Sequence, residues 1–408
     1  MVSVVYFCAM KSALLFLTAF ICFLSACVQH SAPLPPVVKA SFFELERSEK
    51  ETPLKGIIEE YDRLFADSMR LTRTPGAVVV VVQDTSIVFC KGYGVRAEGS
   101  AEMVDEHTVF RIGSLSKGFA GALTGVLVQE GKLHWQDKVY THYPAFSLRD
   151  ADQTKRLRLT HLLSHTTGLP HHAHTDMIEN GYTMQQILPY LKKVKVYAKE
   201  GTMFCYQNAV YSVIGEVMQA ATGHAYPDLL REKILQPAGM YTASTDYASL
   251  MACHNKAYPH LPTANGWTKT DISEKYYNAV PAGGVNASGK DMGAWLKLLL
   301  GNHPEVMNQS TLDSLFAPCI RTYGERRFFG GWSGEKEAYY AKGWRVLRRH
   351  NQPDIVAHSG YVNGFRGEIA IDRQNKRGIC VLFNANSPWA QRCIPAFFEK
   401  VAVGLAEN

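Results

Sequence analysis

Ser114 and Lys117 stand three positions apart in Phe110-Arg111-Ile112-Gly113-Ser114-Leu115-Ser116-Lys117-Gly118-Phe119, just before an apolar run, Ala120 to Val128, that reads as a helix. On a helix that spacing puts both side chains on one face, so the lysine nitrogen can reach the serine hydroxyl. A free serine hydroxyl is a poor nucleophile, and a basic group within hydrogen-bond reach activates it. Two further clusters have the types to act with this pair. Tyr206 and Asn208, in Phe204-Cys205-Tyr206-Gln207-Asn208, open a helix read from Gln207 to Ala221. His358, Ser359, Gly360 and Tyr361 form a polar stretch just before a hairpin. A phenol of pKa about 10 is only ~0.1% ionised at pH 7, so a tyrosine base needs a lowered pKa or proton transfer concerted with attack. Lys117 is one cation that would lower it, and a protonated His358 would be another.

In their order S-x-S-K, Y-x-N and H-S-G, these clusters resemble the class C β-lactamase and D-alanyl-D-alanine peptidase superfamily of serine hydrolases. Flanking stretches match too, among them Thr108 to Ile112, His161 to Thr166, Pro237 to Met240 and Gly343 to Val346, so the resemblance covers about residues 55 to 405. It implies an α/β (α+β) fold: an antiparallel central sheet built from both ends of the chain, flanked by helices, with an inserted helical subdomain. It implies that Ser114 forms an acyl-enzyme, that Lys117 and Tyr206 share the proton transfers, and that Asn208 bonds Lys117 and the acyl amide. The stretch His358 to Tyr361 would bind substrate, and the backbone N–H groups of Ser114 and Tyr361 would form the oxyanion hole. Expected substrates are β-lactams, D-alanyl peptides or, as an alternative, small esters; a binding-only envelope protein is the non-catalytic alternative. No cofactor and no metal are expected. The departure is His358, because class C β-lactamases carry lysine there, while some peptidases and esterases of the superfamily carry histidine. Arg366 either replaces that cation or is a strand-edge surface arginine, and Gln207 is expected to line the cleft.

The elements that must position these residues are legible in outline. Ala77 to Val82 is a β-branched run followed by Gln83-Asp84-Thr85 and a second apolar run to Tyr93, which predicts a hairpin whose first strand is covered on both faces. Trp135 to about Val280 reads as helices and loops, including a short helix from Leu159 that ends at the Gly168-Leu169-Pro170 stop and another at Leu229 to Leu235. Asp291 to Leu300 is an amphipathic helix, Gly367 to Asp372 and Gly378 to Asn384 form a second hairpin, and Arg392 to Leu405 is a terminal helix. The expected division is a catalytic domain over 55–408, with its α/β part at about 55–134 and 285–408 and the helical insertion at about 135–284.

The chain has 408 residues, 46% hydrophobic and 20% charged, which excludes disorder for most of it. The formal charge of +6 is spread along the chain, with no basic run interleaved with aromatics, so a nucleic-acid partner is not expected. Ahead of the domain, Lys11 is followed by the apolar run Ala13 to Leu24 and by Leu24-Ser25-Ala26-Cys27. That segment resembles a bacterial lipoprotein signal, 1–26, with Met10-Lys11 as its natural beginning and Cys27 as the lipidated residue. Residues 27–54, with Ala32-Pro33-Leu34-Pro35-Pro36, read as a tether. The expected location is the cell envelope, facing the periplasm, with membrane attachment through the lipid on Cys27. Six cysteines remain in the domain, none in a C-x-x-C pair; Cys205 reads as a small buried apolar residue. His171, His172 and His174 lie in a loop without a carboxylate at metal spacing and are expected at the rim of a cleft.

Overall fold

Residues 53–323, 332 and 335–406 are described by a computed structural model. The leader, most of the tether and Cys27 lie outside the described residues. After helix α1 (Pro53–Leu71) comes strand β1 (Gly76–Gln83), which is buried on both faces as its valine run requires. Strand β2 (Ser86–Gly94) returns beside it as the expected hairpin. Strand β3 (Val109–Arg111) leads through a 3-10 turn, Gly113–Leu115, into α2 (Ser116–Gln129). This helix begins earlier than its apolar run because Ser116 and Lys117 are themselves buried.

Helix α3 (Ala209–Thr222) ends at Gly223 in the left-handed conformation. The segment read as helices and loops also carries a hairpin of β4 (His260–Thr263) and β5 (Gly266–Lys269). Strand β6 (Asn286–Ser288) pairs with β3, and α4 (Gly289–Leu299) follows it behind a reciprocal Ser288–Asp291 cap. Then come β7 (Ile320–Arg321), β8 (Glu335–Tyr340), β9 (Arg345–Arg349), β10 (Gln352–Val362), β11 (Phe365–Asp372), β12 (Arg377–Phe383) and helix α5 (Ala390–Ala406).

Eight of these strands form one antiparallel sheet in the order β2-β1-β12-β11-β10-β9-β8-β7. Its centre joins the two ends of the chain, with Val79 opposite Val381 and Ala77 opposite Phe383. Alternation along β1 sorts the core: Val78, Val80 and Val82 pack with Phe119, Leu123 and Trp295 of α2 and α4. Val79 and Val81 pack instead with Tyr61 and Phe65 of α1 and Phe397 of α5. This is the expected α/β architecture. The strands β8, β9 and β10 were not assigned by periodicity, because Arg345, Arg348, Arg349 and His358 interrupt the apolar alternation on which such a reading depends. All six cysteines of the described domain are free thiols, and Cys205 is buried as expected.

Candidate active site

The nucleophile candidate sits on the 3-10 turn rather than on α2 itself, yet its reach to the lysine is as the spacing predicts. Lys117 Nζ lies 3.3 Å from Ser114 Oγ, 2.8 Å from Asn208 Oδ1 and 2.8 Å from the Ala282 carbonyl. Its side chain is fully buried, and burial, reinforced by the charge of Arg345, holds its amine well below the ordinary lysine range. Asn208 Oδ1 and the Ala282 carbonyl can only accept, so they take two N–H bonds. A neutral amine then has its lone pair left for the Ser114 hydroxyl, the arrangement a general base requires.

Tyr206 is half-buried, and its ring lies 4.7 Å from Lys117 Nζ. Burial pushes its phenol up to about 12, although Ser114 and Arg345 pull the other way. The lowered tyrosine pKa is therefore not what this site provides, and Tyr206 enters as a protonated phenol. The loop 165–172 fixes its backbone: Tyr206 N–H donates to His171 Nδ1 at 3.0 Å, and its carbonyl accepts from His172 N–H at 2.9 Å. On either side of it, Cys205 N–H donates to the His165 carbonyl and Gln207 N–H to His165 Nδ1. Gln207 does not line the cleft. Its buried amide bonds the Pro170 carbonyl at 2.7 Å and the Thr167 hydroxyl at 3.1 Å, tying the same loop to the start of α3.

His358 also departs from expectation. It is 3% exposed and lies beneath the cleft rather than on its wall. Nδ1 is 2.8 Å from the Ser359 carbonyl, which can only accept, so that nitrogen carries the hydrogen. Nε2 then accepts from the Tyr340 hydroxyl at 3.0 Å. Burial, with Arg345 and Lys117 nearby, holds the imidazole well below its usual range, so His358 is neutral and supplies no cation.

Strand β9 pairs with β10 only as far as Ala357, opposite Arg345, which leaves one edge of β10 open from His358 onward. Gly360 is required where that edge meets the nucleophile turn, since a Cβ there would lie 2.2 Å from the Ile112 carbonyl oxygen and 3.0 Å from Ser114 N. From the other side, a Cβ on Gly113 would lie 2.9 Å from the backbone of Tyr361. The two glycines thus bring the backbone N–H groups of Ser114 and Tyr361 together, where an oxyanion would be held.

An open cleft of about 490 Å³ runs past these groups. Ser114, Tyr206, Asn208, Ser359, Gly360 and Tyr361 line it, as do His171 and His172 of the histidine loop. Arg366 lines it too, bonded through Nε to Glu368 at 2.7 Å, so it is both a cleft residue and an ion-paired one. Among the described residues no cluster of histidine, cysteine or carboxylate side chains has the arrangement of a metal site. Thr175, Glu179, Tyr276 and Arg345 complete the wall, and sequence reasoning gives none of them a functional role. Arg345 lay in a stretch noted only for its match, and nothing in the sequence links Glu179 to Tyr276.

Residues 61–401 match the family described as Beta-lactamase. The chain belongs to that family. Members of that family are usually serine hydrolases. Among curated relatives, Protein flp of Staphylococcus aureus (strain N315) is 24% identical over 340 residues, covering 82% of this chain and 65% of that protein. Unguisins hydrolase ungD of Aspergillus violaceofuscus is 26% identical over 364 residues, covering 82% of this chain and 62% of that protein. The chain therefore spans a little under two thirds of the length of these relatives. The octameric penicillin-binding protein homologue from Pyrococcus abyssi shares the fold, with a TM-score of 0.73 at 21% identity over 86% of this chain and 78% of that one.

Proposed function

We propose that this protein is an exported serine hydrolase that forms an acyl-enzyme on Ser114 with D-alanyl peptides or β-lactams. The observation that carries the reading is the contact of a buried, deprotonation-prone Lys117 with Ser114 at 3.3 Å, beside an open strand edge. In this mechanism Ser114 Oγ attacks the substrate carbonyl while its proton passes to the Lys117 amine. The N–H groups of Ser114 and Tyr361 hold the oxyanion, and the substrate lies along the edge of β10. As the C–N bond breaks, Tyr206 gives its proton to the leaving nitrogen and takes one back from Lys117. Water then releases the acyl group by the reverse relay.

Two guanidinium groups in the cleft favour a substrate with a carboxylate on its leaving side over a neutral ester. Burial brings Arg345 down to about 10, so it remains a cation at neutral pH, and Arg366 stands opposite Tyr361 in register. The test is a panel of fluorescent penicillin, chromogenic cephalosporin, a D-alanyl-D-alanine tripeptide and a p-nitrophenyl ester. Lasting labelling without turnover identifies a penicillin-binding protein, cephalosporin turnover a β-lactamase, and ester turnover without labelling an esterase. Compared at a pH above the acid limb of both proteins, Arg345→Met should lower kcat/KM for the tripeptide about tenfold or more, and for the neutral ester less than about threefold. An equal loss on both would refute carboxylate recognition by Arg345.

Export and anchoring through Cys27 rest on the apolar run and on Leu24-Ser25-Ala26-Cys27. Mass spectrometry of the mature protein should find an acylated amino-terminal Cys27; an unmodified terminus at any other residue contradicts the anchor and the envelope location.

A further inference from the structure

The cleft is charged differently along its two sides. Arg345 and Arg366 belong to the strand side. On the helical side a hydrogen-bonded path leads away from the reacting centre: Asn208 Nδ2 to the Tyr276 hydroxyl at 3.4 Å, and that hydroxyl to Glu179 Oε1 at 2.9 Å. Glu179 ends the short helix Thr175–Glu179, lines the cleft and is exposed to it. Among the described residues no lysine or arginine pairs with it, and no hydrogen-bond donor meets its second carboxylate oxygen. His172 is the nearby titratable neighbour. Burial, aided by His171 and Lys117, holds its imidazole below the usual range, so at neutral pH it leaves the charge of Glu179 uncancelled.

This arrangement differs from a structural ion pair. Tyr276 donates its only hydrogen to Oε1, so the phenol fixes the carboxylate without neutralising it. A fixed, uncompensated carboxylate on a concave wall suits a donor-rich cation, and the position along the path says which part of a substrate brings it. In the acyl-enzyme reading Asn208 meets the acyl amide, so Glu179, one phenol further out, meets the acyl portion beyond that amide. The arginines meet the opposite, leaving side.

We infer that Glu179, held by Tyr276, binds an ammonium group on the acyl portion of the substrate. The preferred substrates are then zwitterionic: a free amine on the acyl side and a carboxylate on the leaving side. This rests on the acyl-enzyme reading above, and the test separates the two. Two matched pairs serve as probes of Ser114 acylation: ampicillin against benzylpenicillin, which differ only by the side-chain amine, and Nα-acetyl-Lys-D-Ala-D-Ala against its Nε-acetyl derivative.

At low ionic strength and about pH 6.5, where an α-amine is mostly protonated, the amine-bearing member of a reactive pair should acylate about fivefold faster. Glu179→Gln should bring that ratio to about one, and Glu179→Lys should invert it. The wild-type preference should also shrink in about 1 M salt, as an ion pair requires. A wild-type ratio below about twofold, or a preference that survives Glu179→Gln, overturns the ammonium subsite and leaves the acyl-enzyme reading standing. If none of the four compounds acylates Ser114, the acyl-enzyme reading itself fails, and the subsite with it.

Discussion

Ser114→Ala should abolish covalent labelling by fluorescent penicillin and lower turnover of any substrate of the wild-type protein by about 10⁴-fold or more. The size follows from what is lost. Lys117 remains bonded to Asn208 and Ala282, and the N–H groups at Ser114 and Tyr361 are backbone groups that survive the substitution. The variant keeps a site able to bind substrate and polarise its carbonyl, but no atom that can form the ester. Binding should therefore persist, measurable as protection against heat unfolding by a ligand that labels the wild type. Alanine is also conformationally safe here, since position 114 sits in a short 3-10 turn and its side chain packs no core. Labelling equal to that of the wild type would remove Ser114 from the mechanism.

How much of this site was legible in the sequence follows from the range of the interactions that build it. The Ser114–Lys117 contact is local, set by one turn of chain, and spacing alone predicts it. The valine run of β1 declares a strand covered on both faces, because five β-branched residues in succession leave no solvent side. Resemblance joined Tyr206 and Asn208 to that pair across ninety residues, and Asn208 does meet Lys117. What stayed hidden depends on burial and on partners brought together by folding. His358 is neutral because of its burial, aided by the nearby charges of Arg345 and Lys117, and its Nε2 is met by the Tyr340 hydroxyl; Arg345 and Tyr340 lie on strands that polar residues conceal from periodicity. Gln207 looked like a cleft residue from its place between Tyr206 and Asn208, yet its bonds to Thr167 and Pro170 make it a brace for the loop. Gly360 is legible only as part of the substrate-binding stretch His358 to Tyr361, and the more pressing demand on it is its approach to Ile112 and Ser114.

Lys117→Met should cost about 10³-fold in the rate of acylation, and Tyr206→Phe about 10²-fold, because the first removes the group that takes the serine proton and the second the group that delivers one to the leaving nitrogen. The order is the informative part. With the phenol pushed up to about 12, almost no phenolate exists near neutral pH, whereas an amine held below its ordinary range is available as a neutral base, so the Ser114 proton goes to nitrogen. The reverse order, with Tyr206→Phe the more damaging, would return the role of base to the tyrosine. The pH dependence of the wild type carries the same sign. Acylation should fall on the acid side as Lys117 becomes ammonium, and removing the repulsion in Arg345→Met should move that limb to higher pH. Stability supplies an independent check. A lysine whose folded pKa lies below its unfolded value of about 10.4 binds fewer protons folded than unfolded between those values, so it makes unfolding free energy rise with pH across that window. Urea unfolding of wild type and Lys117→Met at several pH values isolates this contribution, because the buried tyrosines, cysteines and histidines are common to both proteins. The difference in unfolding free energy should shift in favour of the wild type as pH rises from neutral. A difference independent of pH would mean that Lys117 stays charged in the folded protein, and the base would have to be sought elsewhere.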